Sequence, residues 1–429
     1  MCLPLSLKRV PPTVTRRLSS RFYPQTRSIN ILPSSLESKI KIKIKAAAAV
    51  GVNISITTRR HASTSPSTRD STSDDIKMTL TQQHQNQQHS AIISQVGERF
   101  AQARESGDLL FFPSEVYLHE EAGIQFQIRL CPALQQKPRL PTPHFDDEQS
   151  AANEHGMYRV DKRPEKPDPF APPYIPNLLV GELRDEEEGE EFAILLNKYS
   201  VVPGHFLMVT KEYKSQASPL FPGELVQTYL LLDAARRVGK DFFAFYNCGD
   251  VSGASQPHKH IQFLPVEDDG PPIEKLARTV NLGHDSRAFT FNSLPFATHV
   301  RRLPSSLGSS PRQEMEDILG EAFMTLLDLA ISTVRHDPTH PAGQPSYNVI
   351  LTRQHMYLMP RKREEHILCE TGDPLSVNAL GFAGLLLVKS ERELEAVKRE
   401  SVVEILRDVA LENVHDQQIV GEYDVDDET

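Results

Sequence analysis

Apolar residues recur along this chain with two periods, and their alternation predicts its elements in order. Ile93, Val96, Phe100 and Ala103 fall at helical spacing ahead of the apolar run Leu109 to Phe112, the pattern of a helix entering a core. Ile124 to Leu130 alternates apolar and polar, as a half-buried strand does. Phe192 to Leu196 and His205 to Thr210 read as strands flanking a turn at Pro203 and Gly204, followed by a helix from about Gly223 to Lys240 and a strand from Phe242 to Tyr246. Met315, Ile318, Leu319, Ala322, Leu326 and Leu329 share one face of a helix predicted from about Arg312 to Val334, so that helix needs an apolar partner. Tyr347 to Arg353 and His355 to Met359 predict a hairpin, and Leu380 to Val388 a buried strand. Ser390 with Glu393 and Ser401 with Glu404 have the spacing of capping boxes that open the last helices. Helices packed on one sheet give an α+β class.

Composition sets the limits of that body. The first 88 residues are rich in Arg, Ser and Thr and pass into a Gln/His stretch after Met78, so they read as a leader outside the fold. Arg16, Arg17, Ser19, Ser20 and Arg21 have the bias of an organellar transit peptide, the plain alternative being a disordered leader. A second start at Met78 would give a cytosolic form, so the expected location is cytoplasmic, with a mitochondrial form through the leader. Prolines crowd from Pro138 to Pro176, an ordered wrap or a long loop. The expected division is a leader 1–88, an amino-terminal half 89–270, a carboxy-terminal half 271–412 and an acidic tail 413–429.

Charge and cysteines exclude several classes. Residues 1–70 carry 13 Lys or Arg against two acids, which is +11, so a chain of net −10 has −21 on the remainder. A body that acidic does not suit a nucleic-acid backbone, and any phosphate site must be local. Cys2, Cys131, Cys248 and Cys369 lack CxxC spacing, which argues against a disulfide framework or a thiolate zinc site. No apolar run approaches a membrane span, and no membrane partner is expected.

The stretch NCGDVSGASQPHKHIQFL, Asn247 to Leu264, carries the candidate chemistry. In a strand, residues two apart share a face, so His258, His260 and Gln262 project together while Lys259, Ile261 and Phe263 point the other way. The preceding loop, Gly253, Ala254 and Ser255, can offer backbone N–H groups and a hydroxyl to phosphate oxygens. A neutral imidazole attacks phosphorus and forms a labile phosphoramidate that a second acceptor cleaves, provided its far N–H is held. His260 is the best placed, and Gln262 can donate to a phosphate oxygen but cannot act as acid or base. From spacing alone, an HxH pair is also read as two metal ligands or as two ordinary histidines in a polar groove.

GASQPHKHIQ resembles the HxHxQ signature of diadenosine tetraphosphate phosphorylases, also called ATP adenylyltransferases, in the histidine triad superfamily. PALQQKP, LLNKYSVVPGHFLMVTKEY, FYNCGD, SYNVILTRQHMYLMPR and NALGFAGLLLVK are similar to further blocks of that family, in order, from about Asp108 to Leu411. The resemblance implies a histidine-triad-like fold, an antiparallel sheet with packed helices and two related halves in one chain. It implies adenylylation of His260, contacts of Gln262 and Ser255 with the reacting phosphate, substrate binding by Gly253, Ala254 and Gln256 beside them, and polyphosphate binding by Lys137 and Lys198. Asn197 and Asn247, and from the carboxy-terminal half Asn348, Thr352, Met356 and Arg361, fit nucleotide contacts in the same scheme. The implied reaction is reversible phosphorolysis of diadenosine tetraphosphate to ADP and ATP, with sulfate as acceptor left open. Its partners are dinucleoside polyphosphates, ATP, ADP and phosphate. An acidic body binding a polyphosphate favours Mg²⁺ carried with the nucleotide. The alternatives are a hexose-1-phosphate uridylyltransferase, whose motif usually has proline where Lys259 stands, and a nucleotide sensor that binds without turnover.

Overall fold

The computed structural model describes residues 71–136, 168–267, 270–281, 287–340 and 343–414, with side chains from residue 85 to 135 in the first span. The leader reading for residues 1–70, the acidic tail from 415 and Lys137 lie outside the described residues. Strands β1 (Glu115–Glu121) and β2 (Ile124–Leu130) are followed by β3 (Leu179–Arg184), β4 (Glu191–Leu196), β5 (Phe206–Thr210), β6 (Phe242–Cys248) and β7 (His260–Pro265). From the carboxy-terminal half come β8 (His299–Arg302), β9 (Tyr347–Leu351), β10 (His355–Pro360) and β11 (Leu385–Val388). The helices are α1 (Ser71–Glu105), α2 (Pro222–Arg237), α3 (Pro272–Thr279), α4 (Arg312–His336), α5 (Ala379–Ala383), α6 (Glu391–Glu400) and α7 (Val402–Val409).

One eight-stranded sheet runs β8-β10-β9-β6-β7-β5-β4-β3, and every neighbouring pair is antiparallel. Strands from both halves share it, with Asn348 of β9 opposite Asn247 of β6. Opposite residues in antiparallel strands face the same way, so this register brings the carboxy-terminal half beside the HxHxQ strand. One face is covered by α1, α2 and α4, whose Val96, Phe100, Leu225, Leu230, Leu319 and Phe323 pack with Phe206, Phe263, Val349 and Leu358 of the sheet. On the other face, the smaller sheet β11-β2-β1 joins α3, α5 and α7 in a second core with Phe243, Phe245, Ile350 and Tyr357. A small cluster of Ala193, Leu195, Leu207 and Val209 lies under Phe170 and Tyr174 at the other end of that face. The HxHxQ face sits between these two apolar groups.

Two expectations are corrected. The fold begins before residue 89: Gln88 donates to the Glu182 carbonyl at 3.0 Å, Asn86 accepts from Arg237 at 3.2 Å, and His89 is buried against Gln227. Amides and a histidine dock this part of α1, so a reading based on apolar period stops too late. Leu380 to Val388 is a short helix and a strand, not one strand, because Asn378 caps α5 and Gly384 ends it at φ 99° before β11 starts. The serine half of each capping box is as expected, Ser390 and Ser401 accepting from the N–H of Glu393 and Glu404. The Glu393 carboxylate accepts from Lys389 N–H instead of the cap residue. No helix among the described residues is long and apolar enough to cross a membrane.

Candidate active site

His258 precedes β7 and is held by an isolated bridge to Ser215, while His260 opens the strand. The alternation read from the sequence holds across both. Val209 and Leu207 of β5 stand opposite His260 and Gln262, and Phe245 of β6 stands opposite Gln262. Behind the sheet, Ile261 and Phe263 enter the helix-side core, and Lys259 donates to Glu224 of α2 at 2.6 Å and to the Pro219 carbonyl at 2.7 Å. The buried Lys259 and Glu224 form an ion pair that anchors the back of the strand.

The His260 ring is oriented for attack. Its Nδ1 lies 2.8 Å from the His258 carbonyl oxygen, an acceptor only, so Nδ1 carries the proton and donates. The lone pair then resides on Nε2, which meets no partner among the described residues. Burial pushes the imidazole down to about 4 from its ordinary 6.5, so it is neutral near pH 7. Phe170 covers the ring at 4.9 Å between centroids. The contribution of His258 to this geometry is its carbonyl. Its own ring lies between Asp168, 2.7 Å from Nδ1, and the Thr210 carbonyl, 2.7 Å from Nε2.

Gln262 has a defined amide direction. Its Oε1 lies 3.1 Å from Nε2 of His205, and no acceptor among the described residues meets its own Nε2. His205 is buried and neutral, pushed down to about 4 by desolvation, and its Nδ1 lies 3.1 Å from Asn197 Nδ2.

The loop before β7 is pressed onto the carboxy-terminal half. Gly253 has φ +79°, and a Cβ there would lie 2.7 Å from Asn378 Cβ and 2.9 Å from the Val377 carbonyl oxygen, so only glycine fits. Among the described residues no backbone acceptor meets the N–H groups of Gly253, Ala254 and Ser255, which suits an anion cradle. Ser255 is exposed and Gln256 half-buried beside it. Asn247 Oδ1 accepts from Asn348 Nδ2 at 2.8 Å and from Ala379 N–H at 3.0 Å. Its buried Nδ2 has no partner among the described residues, leaving a fixed donor next to His260.

The remaining expected residues fall in different places. Asn348 and the fully buried Arg361 support the loop: Arg361 donates to Asn348 Oδ1 at 2.6 Å and to the Ser252 carbonyl at 3.3 Å, and Asn348 donates to that same carbonyl at 2.9 Å. Thr352 lies past the end of β9, where its hydroxyl accepts from the N–H groups of Gln354 and His355 and closes the hairpin. Met356 is on the opposite face, in the helix-side core, because it has the parity of Leu358 and not of Tyr357. Lys198 is exposed next to Asn197.

Sequence reading passed over His205, Gln216, Asp168 and Phe170. His205 left a signal, a polar residue at the first inward position of a strand whose next inward positions are Leu207 and Val209. Gln216 left none. It lies in a loop, yet its buried amide accepts from His260 N–H at 2.8 Å and donates to the carbonyls of Asn247 at 2.8 Å and His260 at 3.2 Å. It thereby bridges β6 and β7 where the regular ladder ends after Phe245 and Gln262. Asp168 and Phe170 come from the proline-rich stretch, which carries no period to read.

Comparison with known proteins decides the family. The pattern described as "Ap4A phosphorylase N-terminal domain" matches residues 82–279, and "ATP adenylyltransferase C-terminal domain" matches residues 292–412. Diadenosine 5',5'''-P1,P4-tetraphosphate phosphorylase 2 of Saccharomyces cerevisiae is 30% identical over 319 residues, 70% of this chain and 88% of that protein. The chain belongs to the Ap4A phosphorylase family. Protein APA1 of the same yeast is 26% identical over 333 residues, 75% of this chain and 93% of its own length. The crystal structure of yeast Ap4A phosphorylase Apa2 in complex with AMP is 26% identical, with a TM-score of 0.60 over 76% of this chain and 99% of that one. Apa2 in complex with Ap4A superposes with a TM-score of 0.58 over 75% and 97%. Ap4A phosphorylases are nucleotidyltransferases, and membership in that family sets aside the hexose-1-phosphate uridylyltransferase alternative.

Proposed function

We propose that this enzyme phosphorolyses diadenosine tetraphosphate to ADP and ATP, reversibly, through AMP bound to His260. The observation that carries the reading is the single hydrogen bond from His260 Nδ1–H to the His258 carbonyl, which leaves the Nε2 lone pair of a neutral, largely enclosed ring free to attack. In the first step Nε2 forms a bond to an α-phosphorus as the bond to the bridging oxygen of the leaving group breaks, releasing ATP. The ring then carries positive charge, and its Nδ1–H donates more strongly to the carbonyl. In the second step an oxygen of inorganic phosphate attacks the same phosphorus, the P–N bond breaks, and ADP leaves with the histidine restored.

The neighbours supply charge stabilisation, not proton transfer. The free N–H groups of Gln262 and Asn247 and the loop Gly253 to Gln256 would donate to the non-bridging oxygens, with Lys137 and Lys198 on the remaining phosphates. In this scheme Mg²⁺ arrives on the polyphosphate itself, as hard cations do when bound through substrate phosphates. Rapid-quench incubation with adenine-labelled diadenosine tetraphosphate and no phosphate tests the proposal. Labelled protein whose nucleotide maps to the peptide containing His260 is expected, chased into ADP by added phosphate and absent from His260→Ala. Binding without transfer would instead make the protein a sensor.

A further inference from the structure

The amide of Gln262 can help the reaction only if it presents its NH₂ and not its oxygen to the phosphate. Side-chain amides and imidazoles leave that choice ambiguous until some group of fixed character decides it. Here a backbone N–H does. Tyr199 N–H donates to Asn197 Oδ1 at 3.0 Å, and a backbone N–H can only donate. Asn197 therefore turns its NH₂ toward His205, 3.1 Å from Nδ1 and 3.5 Å from Nε2, and the nearer nitrogen, Nδ1, accepts. The neutral ring then carries its proton on Nε2 and donates to Gln262 Oε1 at 3.1 Å. The NH₂ of Gln262 is left for the substrate.

We infer that His205, set in one tautomer by Asn197, is a positioning residue that holds the Gln262 amide with its donors toward the transferred phosphate. The assignment rests on the proposed role of Gln262. The burial of the relay supports it, since His205 is enclosed and Asn197 half-buried, and a ring cut off from water cannot exchange its partners freely. Both ends of the relay are fixed by strand geometry. His205 immediately precedes β5, in register two residues before Leu207, which stands opposite Gln262. Its N–H is held by the Val202 carbonyl, and its carbonyl accepts from Asn197 N–H at 3.0 Å.

A double-mutant cycle tests this. His205→Ala should lower the single-turnover rate of protein adenylylation about tenfold to a hundredfold, less than the roughly hundredfold to thousandfold for removing an aligned donor outright because the Gln262 amide stays in place, with the KM for the dinucleotide changed less than threefold. In a Gln262→Ala background the same substitution should change the rate less than twofold, because the group it acts through is gone. An undiminished effect of His205→Ala in that background would overturn the inference, as would wild-type rates in the single variant. If Gln262→Ala itself reacts at the wild-type rate, the role proposed for Gln262 fails instead. Long-range ¹H–¹⁵N spectra of the unaltered protein give a reading independent of any variant. They should show His205 as the neutral Nε2–H tautomer, and an Nδ1–H tautomer would refute the relay.

Discussion

The protonation state of His260 offers a test that needs no substitution. An imidazole with an ordinary value of 6.5 would be about one-tenth neutral at pH 5.5, so attack through it would slow roughly eightfold between pH 7 and pH 5.5. Burial pushes His260 down to about 4, which leaves it about 97% neutral at pH 5.5, and the predicted change over that interval is less than about 10%. The readout is single-turnover adenylylation with diadenosine tetraphosphate and no added phosphate, which removes the ionisation of the second substrate. The rate should stay level through pH 5.5 and fall only as pH approaches 4. An acid limb centred near 6.5 would refute the reasoning, since it would mean that water reaches the ring and that Phe170 and the strand do not desolvate it.

Other outcomes follow from the same contacts. His205 and His260 both sit near 4 when folded and near 6.5 when unfolded, so the unfolded chain binds protons first as pH falls. Their contribution to stability is complete above about pH 6.5 and decreases toward pH 4, and urea unfolding at pH 4.5 should register a loss of about 2 to 3 kcal/mol for each. Replacing Gln216 by Ala removes three hydrogen bonds around His260. It should cost about 2 kcal/mol in denaturant unfolding and slow adenylylation, and unchanged values for both would show that the clamp is dispensable. Lys259→Met takes the nearer cation from the buried Glu224 carboxylate, leaving Lys214 at 3.8 Å, and should destabilise by about 3 kcal/mol. The pair Lys259→Met with Glu224→Met should recover part of that in thermal unfolding. Gly253→Ala forces a Cβ against Asn378 at positive φ and should cost about 1 to 3 kcal/mol while weakening nucleotide binding by calorimetry.

What the sequence determined by itself is local. Period two across His258, His260 and Gln262 is enough to put those side chains on one face, because alternation is a property of the extended backbone and not of its surroundings. Period 3.6 is enough to place α2 and α4 within a few residues, and spacing alone finds the two serine caps. The tertiary structure decided what depends on partners distant in the chain. Asn348 and Arg361 are marked by the family resemblance, but only the β6–β9 register shows that they brace the loop under Asn247. Met356 is marked too, and the strand's parity sends it to the other face. His205 and Gln216 lie 55 and 44 residues before His260 in number, and a hydrogen bond between such positions leaves no period in the sequence. Hydrophobic pattern records which side of an element is dry. Which polar atoms meet on that side is settled only when the strands pair.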